Sequence, residues 1–265
     1  MQENENISIL GSGWLGLPLA INLQNEHLNV HLSTRSLIKA DQFTKLNINS
    51  HLVDIEELFT NTQVSNTQEF LQSEILIINI TCKVLSAYQK LLGEIEKSPV
   101  KKVLFISSTS VYSNQQGSCR ESDEIKNETN LRCIEKLFTE SRHFDCTVIR
   151  FAGLIGPKRH PGRFFATGKS IKDGNAKVNL IHLDDCIKLI KTVLDQGVWG
   201  EVFNGCADNH PIKKDYYTQM AKSLGYPEPH CLITENGSNK VICNEKIKIL
   251  LDYQFIYPDI YNITW

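Results

Sequence analysis

The stretch Ile7-Ser8-Ile9-Leu10-Gly11-Ser12-Gly13-Trp14-Leu15-Gly16, continued by the apolar segment Leu17 to Leu23, decides the fold. Four residues of strand character run into a glycine turn, and the turn runs into a helix. In that order Gly11 permits the tight turn, Gly13 lets backbone approach a pyrophosphate, and Gly16 lets the helix pack closely on the strand. The helix start at Trp14-Leu15-Gly16 offers unpaired N–H groups and a partial positive charge to phosphates. The plain alternative is a structural glycine turn, but this motif has the required strand before it and helix after it.

Working outward, Leu28 to Leu32 reads as a second strand, Ser36 to Leu46 as a short helix, and His51-Leu52-Val53 as a third strand. Ile75 to Ile80 is a continuous β-branched run, as expected of a central parallel strand covered on both faces, and Val84 to Ile95 has helical spacing behind it. Lys102 to Ser107 repeats the strand signal, and a helix at about Asn130 to Arg142 precedes the strand Cys146 to Phe151. This alternation predicts an α/β fold with a doubly wound parallel sheet. Beyond Phe151 the pattern loosens, with one more strand at Val178 to Ile181 and helices at Asp184 to Leu194, Tyr216 to Leu224 and Asn244 to Leu251. The expected organisation is a dinucleotide-binding domain over 1–152, rejoined by about 178–205, with 153–177 and 206–265 forming a smaller substrate lobe.

Composition narrows the function classes. A chain of 265 residues, 41% hydrophobic, can bury a sizeable core, and a formal charge of -2 argues against DNA, RNA or anionic membrane surfaces as partners. No apolar stretch approaches the ~18 residues of a membrane span, and the acidic start is the reverse of a signal peptide, so the cytoplasm is the expected location. The eight cysteines are scattered, with no CxxC pair and no zinc spacing, which predicts buried free thiols and no metal.

Open α/β sheets bind ligands beyond the carboxyl ends of their strands. The second strand ends in Ser33-Thr34-Arg35-Ser36, without the acidic residue that would accept hydrogen bonds from an NAD ribose. Arg35 flanked by the hydroxyls of Thr34 and Ser36 suits a 2′-phosphate, which favours NADP over NAD; the bland reading is a solvated arginine in a turn. Asp54-Ile55 after the third strand and Thr81 after the fourth complete the expected cofactor contacts, although Asp54 reads equally well as a helix cap. The fifth strand ends in Ser107-Ser108-Thr109-Ser110-Val111-Tyr112, a hydroxyl cluster where a nicotinamide would lie.

The glycine turn, the Ser108 to Tyr112 run, Arg150 with Gly156-Pro157, and Ile181-His182-Leu183-Asp184-Asp185 together resemble the extended short-chain dehydrogenase/reductases of the NAD-dependent epimerase/dehydratase family. The segments Gly156 to Phe164, His210-Pro211 and Tyr216-Tyr217 are similar to its atypical YeeZ-like subgroup. The resemblance spans nearly the whole chain. It implies a Rossmann domain with a C-terminal substrate lobe, Ser108 in the catalytic Ser/Thr position, and an anionic small-molecule substrate such as a nucleotide sugar. It also admits a homodimer, since family members often pair through helices of the sheet domain.

The departure from that family is its Tyr-x-x-x-Lys pair. The tyrosine position falls on Asn130 or Leu131 and the lysine position on Ile134 or Glu135; Lys136 is one residue out of phase, about 100° around a helix. Tyr112 is the nearest substitute, but a phenol of pKa about 10 would have to fall by about three pH units, roughly 4 kcal/mol, to act as a base at neutrality. Packing beside a nicotinamide suits it better. Cys133 shares the helix but has no basic neighbour legible in sequence. Lys158-Arg159-His160-Pro161-Gly162-Arg163 concentrates positive charge after the sixth strand, so Arg159, His160 and Arg163 are candidates for an anionic substrate, against the reading of an ordinary solvated loop. His182 and the aromatic pairs read as structural. Two function classes follow: an NADP(H)-dependent oxidoreductase, epimerase or dehydratase using Ser108, or a catalytically silent NADP(H) sensor or partner module.

Overall fold

The computed structural model describes residues 6–114, 117–125, 128–166, 168–232 and 237–265. The first strand, β1 (Asn6–Leu10), is followed by α1 (Gly16–Asn25), β2 (Asn29–Thr34), α2 (Leu37–Thr44), β3 (Asn49–Leu52), α3 (Asn61–Phe70), β4 (Ile75–Ile78), α4 (Leu85–Ile95) and β5 (Lys102–Ser108). After a two-residue strand β6 (Ser118–Cys119) come α5 (Asn130–Thr139), β7 (Asp145–Phe151), β8 (Gly153–Ile155), β9 (Leu180–His182), α6 (Leu183–Gln196) and β10 (Val202–Gly205). The chain closes with α7 (Lys213–Ser223), β11 (Val241–Ile242) and α8 (Glu245–Leu251).

Seven strands form one parallel sheet in the order β10-β7-β5-β4-β1-β2-β3, the doubly wound α/β architecture expected. The central pairings show why the apolar runs are continuous: Ile7 lies opposite both Val30 and Ile75, and Ile77 opposite both Ile9 and Leu104. Ile7, Ile9, Ile77 and Leu104 are fully buried. Each such side chain contributes roughly 1.5–3 kcal/mol by leaving water. The strand order reverses between β1 and β4, and that reversal opens a crevice at their carboxyl ends.

The chain divides into two compact units. The first comprises Met1–Ser107, Glu128–Ile149 and Val193–Val202. Its helices α4 and α5 cover β4 and β5 through an aromatic cluster, with Phe105 stacked on Phe138 at 5.3 Å and Tyr88 edge-on to both. The second unit comprises Ser108–Asn127, Arg150–Thr192 and Phe203–Trp265. It carries the two-stranded pairs β8-β9 and β11-β6 and a core built on Ile155, Leu180, Tyr216, Met220 and Ile260. Asp185, fully buried in the first turn of α6, accepts hydrogen bonds from Tyr253 Oη and from the Ile256 and Tyr257 N–H groups. It fastens the aromatic C-terminal segment to the start of α6.

Beyond Phe151 the structure adds β8, β10 and β11 to the one strand expected there, and α3 and β4 also depart from the sequence reading. Helix α3 carries no apolar stripe, since only Thr67 and Phe70 are buried on it, so its signal lay in Thr60, whose side chain caps the Gln63 N–H at 3.3 Å. Strand β4 ends at Ile78 rather than Ile80, which releases Asn79 and Ile80 to line the crevice.

Candidate functional site

The first unit holds a cavity of about 480 Å³ at the carboxyl ends of β1, β2 and β4. The three glycines of the opening motif play separable parts in it. Gly11 adopts φ +110°, and a Cβ there would stand 2.3 Å from the Asn79 carbonyl oxygen. A Cβ on Gly16 would stand 1.9 Å from the Gly11 carbonyl oxygen. Both glycines are therefore required by the fold alone. Gly13 is different: a Cβ on it would meet nothing within 4 Å, its φ is not in the left-handed region, and it lines the cavity. The protein gives no steric reason for glycine at that position, so the open space at Gly13 is where a ligand can approach the backbone.

The turn is held by Ser33, whose hydroxyl accepts from the Gly11 N–H at 2.8 Å, and by the Asn79 N–H donating to the Leu10 carbonyl at 2.8 Å. Helix α1 has Leu15 at its N-cap position, with no side-chain cap and no acidic residue in its first turn, which keeps its positive end suited to an anion. At the end of β2, Thr34 Oγ1 accepts from the Ser36 N–H, and Ser36 Oγ caps α2 by accepting from the Lys39 N–H at 3.4 Å. The Arg35 guanidinium is 69% exposed and lies 3.6 Å from Asp54 and 3.7 Å from Glu56. Exposed pairs at such distances are worth little, so the guanidinium is not committed to them. Asp54 also caps the turn after it, accepting from the Glu56 N–H at 3.0 Å.

Of the sequence-predicted cofactor residues, the cavity brings together Gly11, Gly13, Thr34, Arg35, Ser36, Asp54, Ile55 and Thr81. Trp14, Leu15, Gly16 and Ser107 are not among the residues lining it. Leu15 points into the core and Gly16 packs on Gly11, which accounts for both. Ser12, Lys39, Glu56, Asn79 and Cys82 also line the cavity and were missed; Asn79 was read as part of the fourth strand, which put Thr81 at its end. Burial raises the Cys82 thiol above its ordinary value, which keeps it a neutral wall group.

The helix that should carry the acid/base pair holds a carboxylate instead. Glu135 is fully buried, accepts from Ser107 Oγ at 2.6 Å and from Arg132 Nη1 at 3.0 Å, and stands at one of the two residues aligned with the missing lysine. A negative charge there opposes phenol ionisation, where a lysine would assist it. Lys136 is turned to the surface, paired with Glu128 at 2.8 Å. Cys133 is half-buried on the same helix.

In the second unit, Ser108 Oγ accepts from the Ser110 N–H at 3.1 Å and caps a short helical turn, which leaves the hydroxyl hydrogen available to a substrate oxygen. Tyr112 is fully engaged by its own unit: its hydroxyl donates to Asn204 Oδ1 at 2.8 Å and accepts from Arg150 Nη1 at 2.9 Å. Burial raises its pKa, with Arg150 opposing that shift only in part. Both observations make Tyr112 a structural bracket and no base near neutrality.

His160 sits differently from the two arginines that flank it. It is buried, its Nδ1 accepts from the Gly162 N–H at 3.0 Å, and its ring lies 4.1 Å from that of Trp265. Burial, with Arg163 nearby, pushes its pKa below the usual range, so it carries no charge at pH 7. Gly162 is explained by packing, since a Cβ would stand 2.1 Å from the Met220 carbonyl of α7. Arg159 and Arg163 remain exposed. No group of three or more metal-ligating side chains occurs among the described residues, and no described helix is long and apolar enough to cross a membrane.

No family model matches the chain. It is 33% identical over 269 residues to the protein YeeZ of Escherichia coli K12, covering 96% of this chain and 97% of that protein. Among solved structures it resembles a candidate NAD-dependent epimerase/dehydratase from Methylobacillus flagellatus, with a TM-score of 0.78, 23% identity and coverage of 96% and 94% of the two chains. It also resembles the UDP-glucuronic acid 4-epimerase of Bacillus cereus in complex with UDP-glucuronic acid and NAD, with a TM-score of 0.73, 17% identity and coverage of 94% and 93%.

Proposed function

Because this chain belongs to the YeeZ family, within the extended short-chain dehydrogenase/reductases, we propose that it is an NAD(P)-dependent oxidoreductase or a sugar-nucleotide epimerase, dehydratase or reductase acting on an anionic substrate. The observation that carries the cofactor reading is Gly13, a glycine that the fold does not need, opening onto a cavity beside an uncapped helix start. The residues present fit a dinucleotide. Gly11 to Gly13 and the α1 N-terminus receive the pyrophosphate, and Ser33 holds the turn in shape. Arg35, Ser36 and Lys39 present charge and hydroxyls to a 2′-phosphate, which favours NADP over NAD. Asp54 and Ile55 border the adenosine. When bound, the cofactor supplies the two-electron redox capacity that the side chains lack.

On the substrate side, Ser108 donates its free hydroxyl hydrogen to a carbonyl or hydroxyl oxygen, polarising the reacting carbon. The second unit serves as the substrate lobe, with the nucleotide sugars bound by structural neighbours as the model for substrate class. Turnover of a nucleotide sugar that is lost in Ser108→Ala, together with a fall in the NADP-to-NAD affinity ratio in Arg35→Ala, is the expected result. An unchanged ratio would overturn the NADP assignment.

A second reading, a catalytically silent NADP(H) sensor, is favoured by the buried Glu135 in place of the lysine. Dinucleotide binding without turnover on any nucleotide sugar or small carbonyl is its signature.

A further inference from the structure

The turn that carries Ser108 is too short to hold its own shape. Thr109–Val111 forms one three-residue helical turn, capped by Ser108 Oγ and closed by the Tyr112 N–H donating to the Thr109 carbonyl at 3.3 Å. A single turn fixes several dihedral angles for one or two hydrogen bonds, so its geometry has to be imposed from outside. On the Tyr112 side that is done by Asn204, whose amide in turn donates to the Cys119 and Cys243 carbonyls at 3.2 and 3.0 Å. On the Thr109 side it is done by a lysine that neither the cavity nor the family motifs use. Lys240 is half-buried, and its ammonium donates to the Thr109 carbonyl at 3.3 Å, one residue from Ser108.

Lys240 belongs to a strap, residues 238–242, laid along the chain that leaves the turn. Ser238 Oγ and the Asn239 N–H both donate to the Asn114 carbonyl, at 3.1 and 3.0 Å. The Asn239 side chain accepts from the Gly117 N–H at 2.9 Å, the Val241 N–H donates to the Gly117 carbonyl at 2.8 Å, and β11 then pairs with β6. The strap is itself fixed at Lys240, since the Asn179 side chain donates to the Lys240 carbonyl at 3.0 Å and accepts from the Ile242 N–H at 2.9 Å. These bonds reach Asn114 and residues beyond it; the Lys240 side chain carries the hold back to the residue next to Ser108. Burial pushes the Lys240 ammonium below the ordinary lysine range, so an apolar side chain would be buried there at less cost. The charge-assisted bond to Thr109 offsets that cost and explains a lysine where packing alone would not.

We infer that Lys240 is a positioning residue: through the Thr109 carbonyl it fixes the turn, and with it the direction in which Ser108 presents its free hydroxyl hydrogen. This rests on the reading of Ser108 as the residue that meets the substrate oxygen. A donor aimed before the substrate arrives costs no reorganisation at the reacting step, so loss of the lysine shows in kcat before KM. Lys240 does not replace the lysine absent from α5, because its bond goes to a backbone carbonyl and not to a phenol.

Amide hydrogen exchange on the full chain, followed over 109–112, tests the role in Lys240→Met and Lys240→Arg. The Met variant is expected to exchange these amides about tenfold faster with β4 and β5 unchanged, and the Arg variant to restore protection. A turn as protected in Lys240→Met as in the parent chain, acceleration spread over the whole second unit, or an Arg variant no better than Met would overturn the proposal. Initial rates with UDP-glucuronic acid and NADP as the probe pair add a functional readout. Lys240→Met is expected to lower kcat about tenfold or more with KM within about twofold, and Lys240→Arg to recover most of the rate. An unchanged kcat in Lys240→Met, beside lost turnover in Ser108→Ala, would equally overturn the proposal. With a probe that the parent chain does not turn over, the exchange result decides alone. If Ser108→Ala turns over as the parent does while the exchange result holds, the reading of Ser108 fails and Lys240 remains the clamp of the turn.

Discussion

The glycine turn after β1 and the hydroxyl run after β5 both sit at strand ends, but they differ in what the fold leaves unused. At the turn, Gly11 and Gly16 are required by contacts within the protein, and Gly13 stays open to a cavity. After β5, Ser107 is engaged by Glu135 and Tyr112 by Asn204 and Arg150, while Ser108 accepts from the Ser110 N–H and keeps its own hydrogen uncommitted. A ligand site is recognised by the groups that folding does not consume. By that measure the first region is built to hold something, while the second has exchanged the usual acid/base pair for internal structure.

The largest effect should come from removing a glycine the fold needs. Gly16→Ala places a methyl group against the Gly11 carbonyl, and urea denaturation is expected to show a loss of about 3 kcal/mol or failure to fold. Near-wild-type stability would mean the strand and helix approach less closely than described. A smaller loss, roughly 2 kcal/mol, is expected for Glu135→Gln, which weakens the buried contacts to Ser107 and Arg132. If Glu135→Gln instead leaves stability intact and abolishes turnover, the carboxylate belongs to the chemistry and the contrast between the two regions fails.

A gentler effect follows from pH. Burial holds His31, His51, His160, His182 and His210 below the ordinary value of 6.5. His31 Nδ1 and His51 Nε2 are 2.9 Å apart, so both rings cannot be protonated there without strain. The unfolded chain therefore binds more protons than the folded one once pH drops below about 6.5. The histidine contribution to stability is fully present above that value and is lost as pH falls through the lowered folded values. Melting temperatures recorded from pH 8 to 5 should be flat and then decline; a rise on acidification would contradict the burial of these rings.

Much of the architecture was legible because β-branched apolar runs such as Ile75 to Ile78, alternating with helical spacing, are the pattern of central parallel strands, and because Gly11 to Gly16 marks the first crossover. Helix α3 was not legible by periodicity, since its residues Asn61–Phe70 are polar and bury little. Strand β10 is four residues long and carries Asn204 in its run, too short a signal for alternation. Within the site, strand-end reasoning found Thr34, Arg35, Asp54 and Thr81 but could not tell Leu15, a core residue, from the glycines beside it. Charge counting placed His160 with the arginines, whereas its burial against Trp265 is a tertiary fact with no local mark. The burial of Glu135 is equally silent in sequence, since an acidic residue on an amphipathic helix reads as solvated.

The most direct measurement is NADPH binding to Gly13→Ala, followed by fluorescence, alongside its urea stability. With no neighbour within 4 Å of the new methyl group, stability is expected to stay within about 0.5 kcal/mol of the parent chain while NADPH affinity falls about tenfold or more. A variant that binds NADPH as tightly as the parent, or a parent chain that binds no dinucleotide, would contradict the account.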